Sequence, residues 1–192
     1  MKHHLQKGLM YLRNANFEGK DLRNVNLVLA DLRGAKLSNA ILDYSNLSWA
    51  NLLQSDMVNC NCIGVSMYSA QVCDSDMMYA DLRFADLRKA DLRGVVLDGA
   101  DLSNADLRDS ILDEASMRGV NLRGADLRNA SFLGVDLRES NLTDCILENT
   151  NITDAILTNT IGSNNIMQRG AYFKNKDDSE NFFFGNIDRN CL

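Results

Sequence analysis

Residues 80–94 read ADLRFADLRKADLRG, three copies of a five-residue unit in direct succession. Reading outward from Leu82 in steps of five, the same frame runs from Leu12 to Leu157 without a slip. Of the thirty residues at this central position, twenty-one are leucine, and the others are apolar or cysteine. Two residues earlier lies Ala, Val, Ser, Thr or Cys, except at Met10 and Lys20. The chain is therefore a repeat array with one large apolar and one small residue in each unit.

A five-residue period fits neither an α-helix nor a flat strand. At about 100° per residue, leucines in a helix would move by about 140° at each repeat and spread over every side. In a pleated strand an odd period would send successive leucines to opposite faces, so half of them would meet water. The chain must therefore turn a corner once per repeat. Four corners would close a coil of about twenty residues whose leucines stack in one column.

The repeats resemble those of the pentapeptide-repeat proteins, whose motif is A(D/N)LXX. The runs that carry the resemblance are ADLRFADLRKADLRG, ANFEG and NLRGADLRNA, and the frame covers about three quarters of the chain. The resemblance implies an all-β solenoid, namely a right-handed quadrilateral β-helix whose central Leu and preceding small residue point inward. With about 4.8 Å between strands, seven to eight coils would make a rod roughly 36 Å long. We expect residues 12–160 to form this β-helix.

Short caps are expected at both ends, because open β edges would invite one rod to stack on another. Leu5, Leu9 and Leu12 recur at helical spacing, which predicts an N-terminal helical cap over residues 1–11. At the other end the frame is lost at Gly162, and residues 161–192 are expected to form a C-terminal cap and tail.

The tail contains three adjacent phenylalanines, Phe182, Phe183 and Phe184. Three neighbouring aromatic side chains are not expected to stay in water. The sequence therefore predicts a terminal apolar anchor at these positions.

The overall charge limits the classes of partner. The net charge is −6 and the pI is about 4.9, which argues against direct nucleic-acid binding, because such binding depends on cationic side chains. An acidic protein can still imitate nucleic acid. Neither a secretory signal nor a transmembrane-length apolar run is present in the sequence, so we expect a cytoplasmic protein without a membrane partner.

The sequence carries no enzyme signature. None of the common nucleotide, hydrolase, redox or zinc motifs occurs, and the only two histidines are His3 and His4. The five cysteines stand at irregular spacings, which favours reduced structural thiols over disulfides or a zinc site. We therefore expect no catalytic residues, no metal and no cofactor.

Arginine follows the central leucine in many repeats, beside an aspartate that precedes it. This pattern predicts an exposed lattice of ion pairs, in which each pair stabilises the folded protein by only about 0.2–1 kcal/mol. The arginines that follow the central residue are Arg13, Arg23, Arg33, Arg83, Arg88, Arg93, Arg108, Arg118, Arg123, Arg128 and Arg138.

The pattern changes between Trp49 and Phe84, where apolar residues replace arginine at the outward position after the central residue. The expected interaction surface, called the apolar band below, consists of Leu53, Val58, Ile63, Tyr68 and Met78 at this position and of Tyr44, Tyr79 and Phe84 at neighbouring outward positions. Cys73 falls in the same outward position. Such a band would reach the few hundred Å² of the largest apolar patch on a typical monomer. The sequence therefore predicts either a protein contact or a surface that a terminal segment of the same chain covers.

Two functions remain open from the sequence. The first is a non-enzymatic cytoplasmic scaffold that binds a protein partner or a second copy of itself through the apolar band or the terminal phenylalanines. The second follows from the family resemblance, which also implies DNA-mimic proteins that bind type II topoisomerase and protect it against quinolones. The arginine rows and the modest net charge favour the scaffold.

Overall fold

The computed structural model describes residues 10–164, 166 and 170–172. Over these residues the backbone forms isolated parallel β-bridges and turns, without a helix or a longer strand. The bridges join residues twenty apart, from Tyr11 with Asp31 to Asn141 with Ile161, and they recur every five residues along the chain. The chain is therefore a repeat solenoid in which residues twenty apart lie on neighbouring coils.

The repeat that starts at Ala80 shows how each unit satisfies its backbone. Asp81 N donates to Cys60 O of the preceding coil, and Leu82 N and Phe84 N donate to the following coil. Ala85 N closes the turn on Leu82 O at 3.1 Å. The remaining donor, Arg83 N, is satisfied by Asp81 Oδ1 at 3.3 Å. Asp or Asn before the central leucine thus accepts the one N–H that the coils leave over.

Every corner of the solenoid requires a positive φ. The residue two after each central position has φ between 53° and 70° in all thirty repeats, from Asn14 to Asn159. Twenty of these thirty residues are Gly, Asn or Asp, the residues that adopt this left-handed region at the lowest energetic cost. The corner geometry explains why the last letter of the motif is not free.

The core is one continuous column of central and small residues. Central side chains are buried from Leu27 to Ile152, and the small residues from Ala30 to Thr150 are buried beside them. Most hydroxyls at the small position donate to a carbonyl, as Ser45 Oγ does to Leu42 O at 2.6 Å, while Ser55 Oγ donates to Ser75 Oγ at 3.4 Å. Among the described residues, no buried side-chain polar atom lacks a hydrogen-bond partner.

The two ends differ from the middle of the solenoid. Leu12, Phe17 and Leu22 are only partly buried, whereas the central residues from Leu27 to Ile152 are buried. Of the helical cap predicted over residues 1–11, only Met10 and Tyr11 are described, and Tyr11 already forms the first bridge. The cap otherwise lies outside the described residues and stays a prediction.

After Ile161 the register lengthens by one residue, since Asn151 pairs with Tyr172. Ile166 and Ala171 are buried against the last coil. The rest of the predicted C-terminal cap and tail is not described.

Candidate interaction surface

Five of the thirty corner residues are large and apolar, and they form the most exposed part of the candidate surface. They are Leu29, Tyr44, Trp49, Tyr79 and Phe84, with φ between 56° and 62°. All five are more than half exposed to solvent, and all lie in the N-terminal half of the chain. A left-handed conformation costs a residue with a side chain about 1–2 kcal/mol. Neither core packing nor backbone preference therefore accounts for aromatic residues at these corners.

Two of the rings lie against glycines of the following coil. A Cβ on Gly64 would lie 2.7 Å from a ring carbon of Tyr44, and a Cβ on Gly99 would lie equally close to the ring of Tyr79. Each glycine thus leaves space that the preceding tyrosine fills. The rings are held along the corner and still expose more than half of their surface.

A second aromatic group combines Trp49 with Tyr68 of the next coil. Their ring centroids are 5.6 Å apart at an interplanar angle of 72°, an edge-to-face contact. The Arg88 guanidinium carbon lies 5.4 Å from the Tyr68 ring centroid, and Lys89 Nζ lies 5.9 Å from it. Tyr68 is therefore in contact with an aromatic ring on one side and two cations on the other.

The other members of the predicted band are less exposed. Leu53, Val58, Ile63, Tyr68 and Met78 are half-buried between the side chains of neighbouring repeats. The twenty-residue register places Val58 and Met78 in one column, and Leu53 in the column of the preceding repeat. The structure thus places Tyr44, Tyr79 and Phe84 as ridges at the corners, with the half-buried side chains on the faces between them.

The sequence prediction left out two exposed residues, Leu29 and Trp49. Both occupy corner positions twenty residues apart, and Trp49 contacts Tyr68 of the band. The twenty-residue coil places Trp49 on the coil next to Tyr68, so the position of Trp49 could have been inferred from the sequence. The prediction started from the position directly after the central residue and took in only Tyr44, Tyr79 and Phe84 from the corner positions. We include Leu29 and Trp49 in the apolar band from here on.

The predicted terminal anchor, Phe182, Phe183 and Phe184, lies outside the described residues. Its part in binding, or in covering the band, stays a prediction.

Two cysteines lie side by side inside the band's coils. Cys60 and Cys62 are fully buried, and the Cys60 thiol donates to Leu37 O at 2.7 Å. A hydrogen bond with Cys60, together with burial, raises the pKa of the Cys62 thiol well above its usual value. The Cys62 thiol therefore stays protonated, and both cysteines act as core side chains. Within the described part of the chain, no group of His, Cys, Asp and Glu side chains could hold a metal ion.

Outside the band, aspartate and arginine form the predicted lattice. Eight Asp-Leu-Arg units make two-pronged ion pairs, in which Nε and Nη2 of the arginine donate to the two carboxylate oxygens of the aspartate at 2.5–2.9 Å. The pairs are Asp21–Arg23, Asp31–Arg33, Asp81–Arg83, Asp86–Arg88, Asp91–Arg93, Asp106–Arg108, Asp126–Arg128 and Asp136–Arg138.

These pairs predict a loss of stability in acid. The hydrogen bonds from Arg33 lower the pKa of Asp31 to about 2, and the side chains of Arg138 and Arg118 lower the pKa of Asp136. A carboxyl whose pKa is lower in the folded state stabilises the fold above its unfolded pKa of about 3.9 and loses this effect as the pH falls through the folded value. We expect the free energy of unfolding to be level near neutral pH and to fall between about pH 4 and pH 2.

Urea unfolding at a series of pH values would measure this slope. The Asp31→Asn variant keeps an oxygen that can accept the Arg33 N–H, but it has no charge, so its slope should be shallower. A fall that begins near pH 6, or equal slopes in both proteins, would contradict the assignment.

Among the described residues, no helix has the length and apolar content required to cross a bilayer.

Comparison with known proteins identifies the repeat. The family model for pentapeptide repeats matches the chain in eight copies, at residues 11–43, 55–94, 75–113, 112–144 and 121–159. No curated protein sequence matches the chain.

Three solved structures illustrate the likeness. HetL, a pentapeptide-repeat protein involved in heterocyst differentiation regulation in the cyanobacterium Nostoc sp. strain PCC 7120, is 25% identical, with 76% of this chain and 84% of HetL covered and a TM-score of 0.38. QnrB1, a plasmid-mediated fluoroquinolone resistance protein, is 18% identical in one trypsin-treated form, with 84% and 95% covered and a TM-score of 0.48. A second Nostoc pentapeptide-repeat protein is 29% identical, with 62% and 84% covered and a TM-score of 0.39. These TM-scores are low, and the repeat match carries the family assignment.

Proposed function

The chain belongs to the pentapeptide-repeat family, and from that premise we propose that it is a non-enzymatic scaffold whose apolar band binds another protein or a second copy of this chain. The observation that carries the proposal is the placement of five large apolar side chains at left-handed corners that elsewhere hold mostly Gly, Asn or Asp. These side chains are exposed and conformationally costly. Strain of this kind is typical of residues that serve a contact.

The handedness, the number of coils and the terminal caps of the solenoid are also proposed. We propose a right-handed quadrilateral β-helix of about seven to eight coils with short terminal caps. Bridges at four positions in every twenty residues support a four-sided coil. We also propose a cytoplasmic location, since the four described cysteines are free thiols and three of them are buried.

Imitation of DNA toward type II topoisomerase is the second candidate, and the surface favours it less. A mimic of duplex DNA needs rows of uncompensated negative charge. Here eight aspartates along the solenoid are neutralised by arginines within hydrogen-bond distance. The cations would face the basic surface that a mimic must occupy.

The corner residues provide a test that separates binding from folding. In the variant Trp49→Asn, Tyr79→Asn, Phe84→Asn, each corner receives a residue that eight other corners already hold. We expect the free energy of unfolding to stay level or to rise by about 1 kcal/mol, because Asn adopts the left-handed conformation more readily. Partner capture from the native host, or self-association in sedimentation, should be lost. Chemical denaturation followed by circular dichroism measures the free energy of unfolding.

A matched control removes as many exposed apolar side chains outside the band. The variant Leu133→Asn, Ile146→Asn, Ile156→Asn should capture the same partner as the unmodified protein. Equal capture by both variants, or a corner variant that unfolds, would refute the proposed role of the band.

A further inference from the structure

The aspartates of the band differ from those of the rest of the solenoid. Aspartate occupies the position before the central residue eleven times, and in eight of these repeats the arginine two residues later binds it. Asp101 has no arginine two residues later and instead accepts hydrogen bonds from Asn121 Nδ2 at 3.1 Å and from Ser103 N at 2.8 Å. In the remaining two repeats the arginine is replaced by an apolar residue, Val58 after Asp56 and Met78 after Asp76.

These two carboxylates lie on neighbouring coils. Asp56 and Asp76 are bridge partners, so their backbones are about 4.8 Å apart and their like charges stand side by side. In the described part of the chain, neither makes an ion pair. Asp56 accepts hydrogen bonds from Ser38 Oγ and Val58 N, and Asp76 accepts one from Met78 N at 3.1 Å.

No cation of the band compensates this charge. Residues 41–80 contain four aspartates and no lysine, arginine or histidine. Lys36 precedes Asp56 in the same column, but the described structure contains no ion pair between them. Asp74 lies at the corner beside Asp76, with its Oδ1 over Gly94. The face therefore combines two carboxylates that form no ion pair in the described structure with Val58, Met78 and the exposed side chain of Tyr79.

Further along the same face, arginines bind an aspartate in the way that Asp56 and Asp76 lack. Arg118 and Arg138 occupy the column of Val58 and Met78, and both bind Asp136, at 2.6 Å through Arg118 Nε and at 2.6 Å through Arg138 Nη2. A guanidinium fits a carboxylate in two-pronged geometry and can lie flat on apolar or aromatic surface. An arginine approaching from outside would meet both kinds of contact here.

We propose that the face formed by Asp56, Asp76, Val58, Met78 and Tyr79 binds an arginine of a partner protein, which supplies in trans the guanidinium that other repeats supply in cis. The partner segment carries apolar residues beside this arginine, and these pack on Val58, Met78 and Tyr79. The inference rests on the proposed function and specifies the partner's chemistry.

A short peptide and its uncharged analogue test the inference. The probe is acetyl-Leu-Arg-Leu-Arg-Leu-amide, and the analogue carries citrulline, which keeps the shape and loses the charge. Affinity for the full chain is measured by isothermal titration calorimetry in the unmodified protein and in each variant, and the NMR signal of the Met78 methyl group locates binding in the unmodified protein. We expect the arginine peptide to shift this signal and to bind at least about tenfold more tightly than the citrulline peptide, because a charge-assisted pair is lost in the analogue.

Two variants locate the effect. Val58→Arg with Met78→Arg creates two Asp-Met-Arg units in a column that already accommodates Arg118 and Arg138, so it should fold and should remove the preference for the arginine peptide. Leu133→Arg adds an arginine at an exposed position where no aspartate stands two residues earlier, and it should leave the preference intact.

The outcomes separate this inference from the proposed function. Equal affinity for both peptides with a shifted Met78 signal would overturn the arginine assignment, yet the band would remain a contact surface. An unshifted Met78 signal, or a preference that survives Val58→Arg with Met78→Arg, would overturn the inference as well. The proposed function is tested apart from these results by the capture experiment on the corner variant.

Discussion

The Leu102→Ala variant is expected to lose about 2–5 kcal/mol of unfolding free energy. Leu102 is fully buried in the central column, and the backbone around it is fixed by bonds to both neighbouring coils. The coils cannot move together to fill a lost side chain, because their spacing is set by the bridges. The truncation therefore leaves a cavity, whose cost adds to the lost transfer free energy.

The matched control is Arg93→Ala, which removes a larger side chain from the surface. Arg93 pairs with Asp91 at 2.6 Å, but 59% of its side chain is exposed, so the variant should lose less than about 1 kcal/mol. Chemical denaturation of both variants measures the difference. Similar losses in the two would contradict the assignment of inward and outward positions.

The Ala105→Leu variant is expected to lose at least about 1–3 kcal/mol by overpacking. Ala105 is buried at the small position, beside the central residues of its own and the neighbouring repeats. A closed coil has no free volume there, and the added atoms must displace side chains from their rotamers or separate the coils.

The control for this prediction is Ala15→Leu. Ala15 holds the same place in the first described coil, where it is only partly buried. Extra volume should cost much less at this partly exposed position. Equal losses from Ala105→Leu and Ala15→Leu would show that the closed coil does not impose the small residue.

Most of the fold could be predicted from the sequence because the same five-residue pattern of one large apolar and one small residue recurs along the chain. The five-residue period of the leucines excluded helix and flat strand, and the twenty-residue coil placed Val58 above Met78 as the bridges have it. The role of the Asp or Asn before the leucine was not evident, since it depends on an N–H that only the folded coil leaves without a backbone partner.

The candidate surface was predicted less completely. Outward apolar residues such as Val58 and Met78 stood out because they replace arginine. Leu29 and Trp49 were not singled out. The coil register could have placed Trp49 near Tyr68, but the left-handed φ of both residues becomes visible only in the backbone. The energetic cost of the left-handed conformation at Leu29 and Trp49 depends on where these residues lie in the coil. The same holds for Asp56 and Asp76, which have no arginine two residues later.

The central claim is that the apolar band is covered by a partner in the cell. Hydroxyl-radical footprinting in the native host, compared with the purified protein, measures this directly. Trp49, Tyr79 and Phe84 are the reporters, and Ile146 and Ile156, exposed outside the band, are the references. We predict that the three reporters are protected in the host while the references are oxidised to the same extent in both samples. Equal oxidation of the reporters in host and purified protein would contradict the claim.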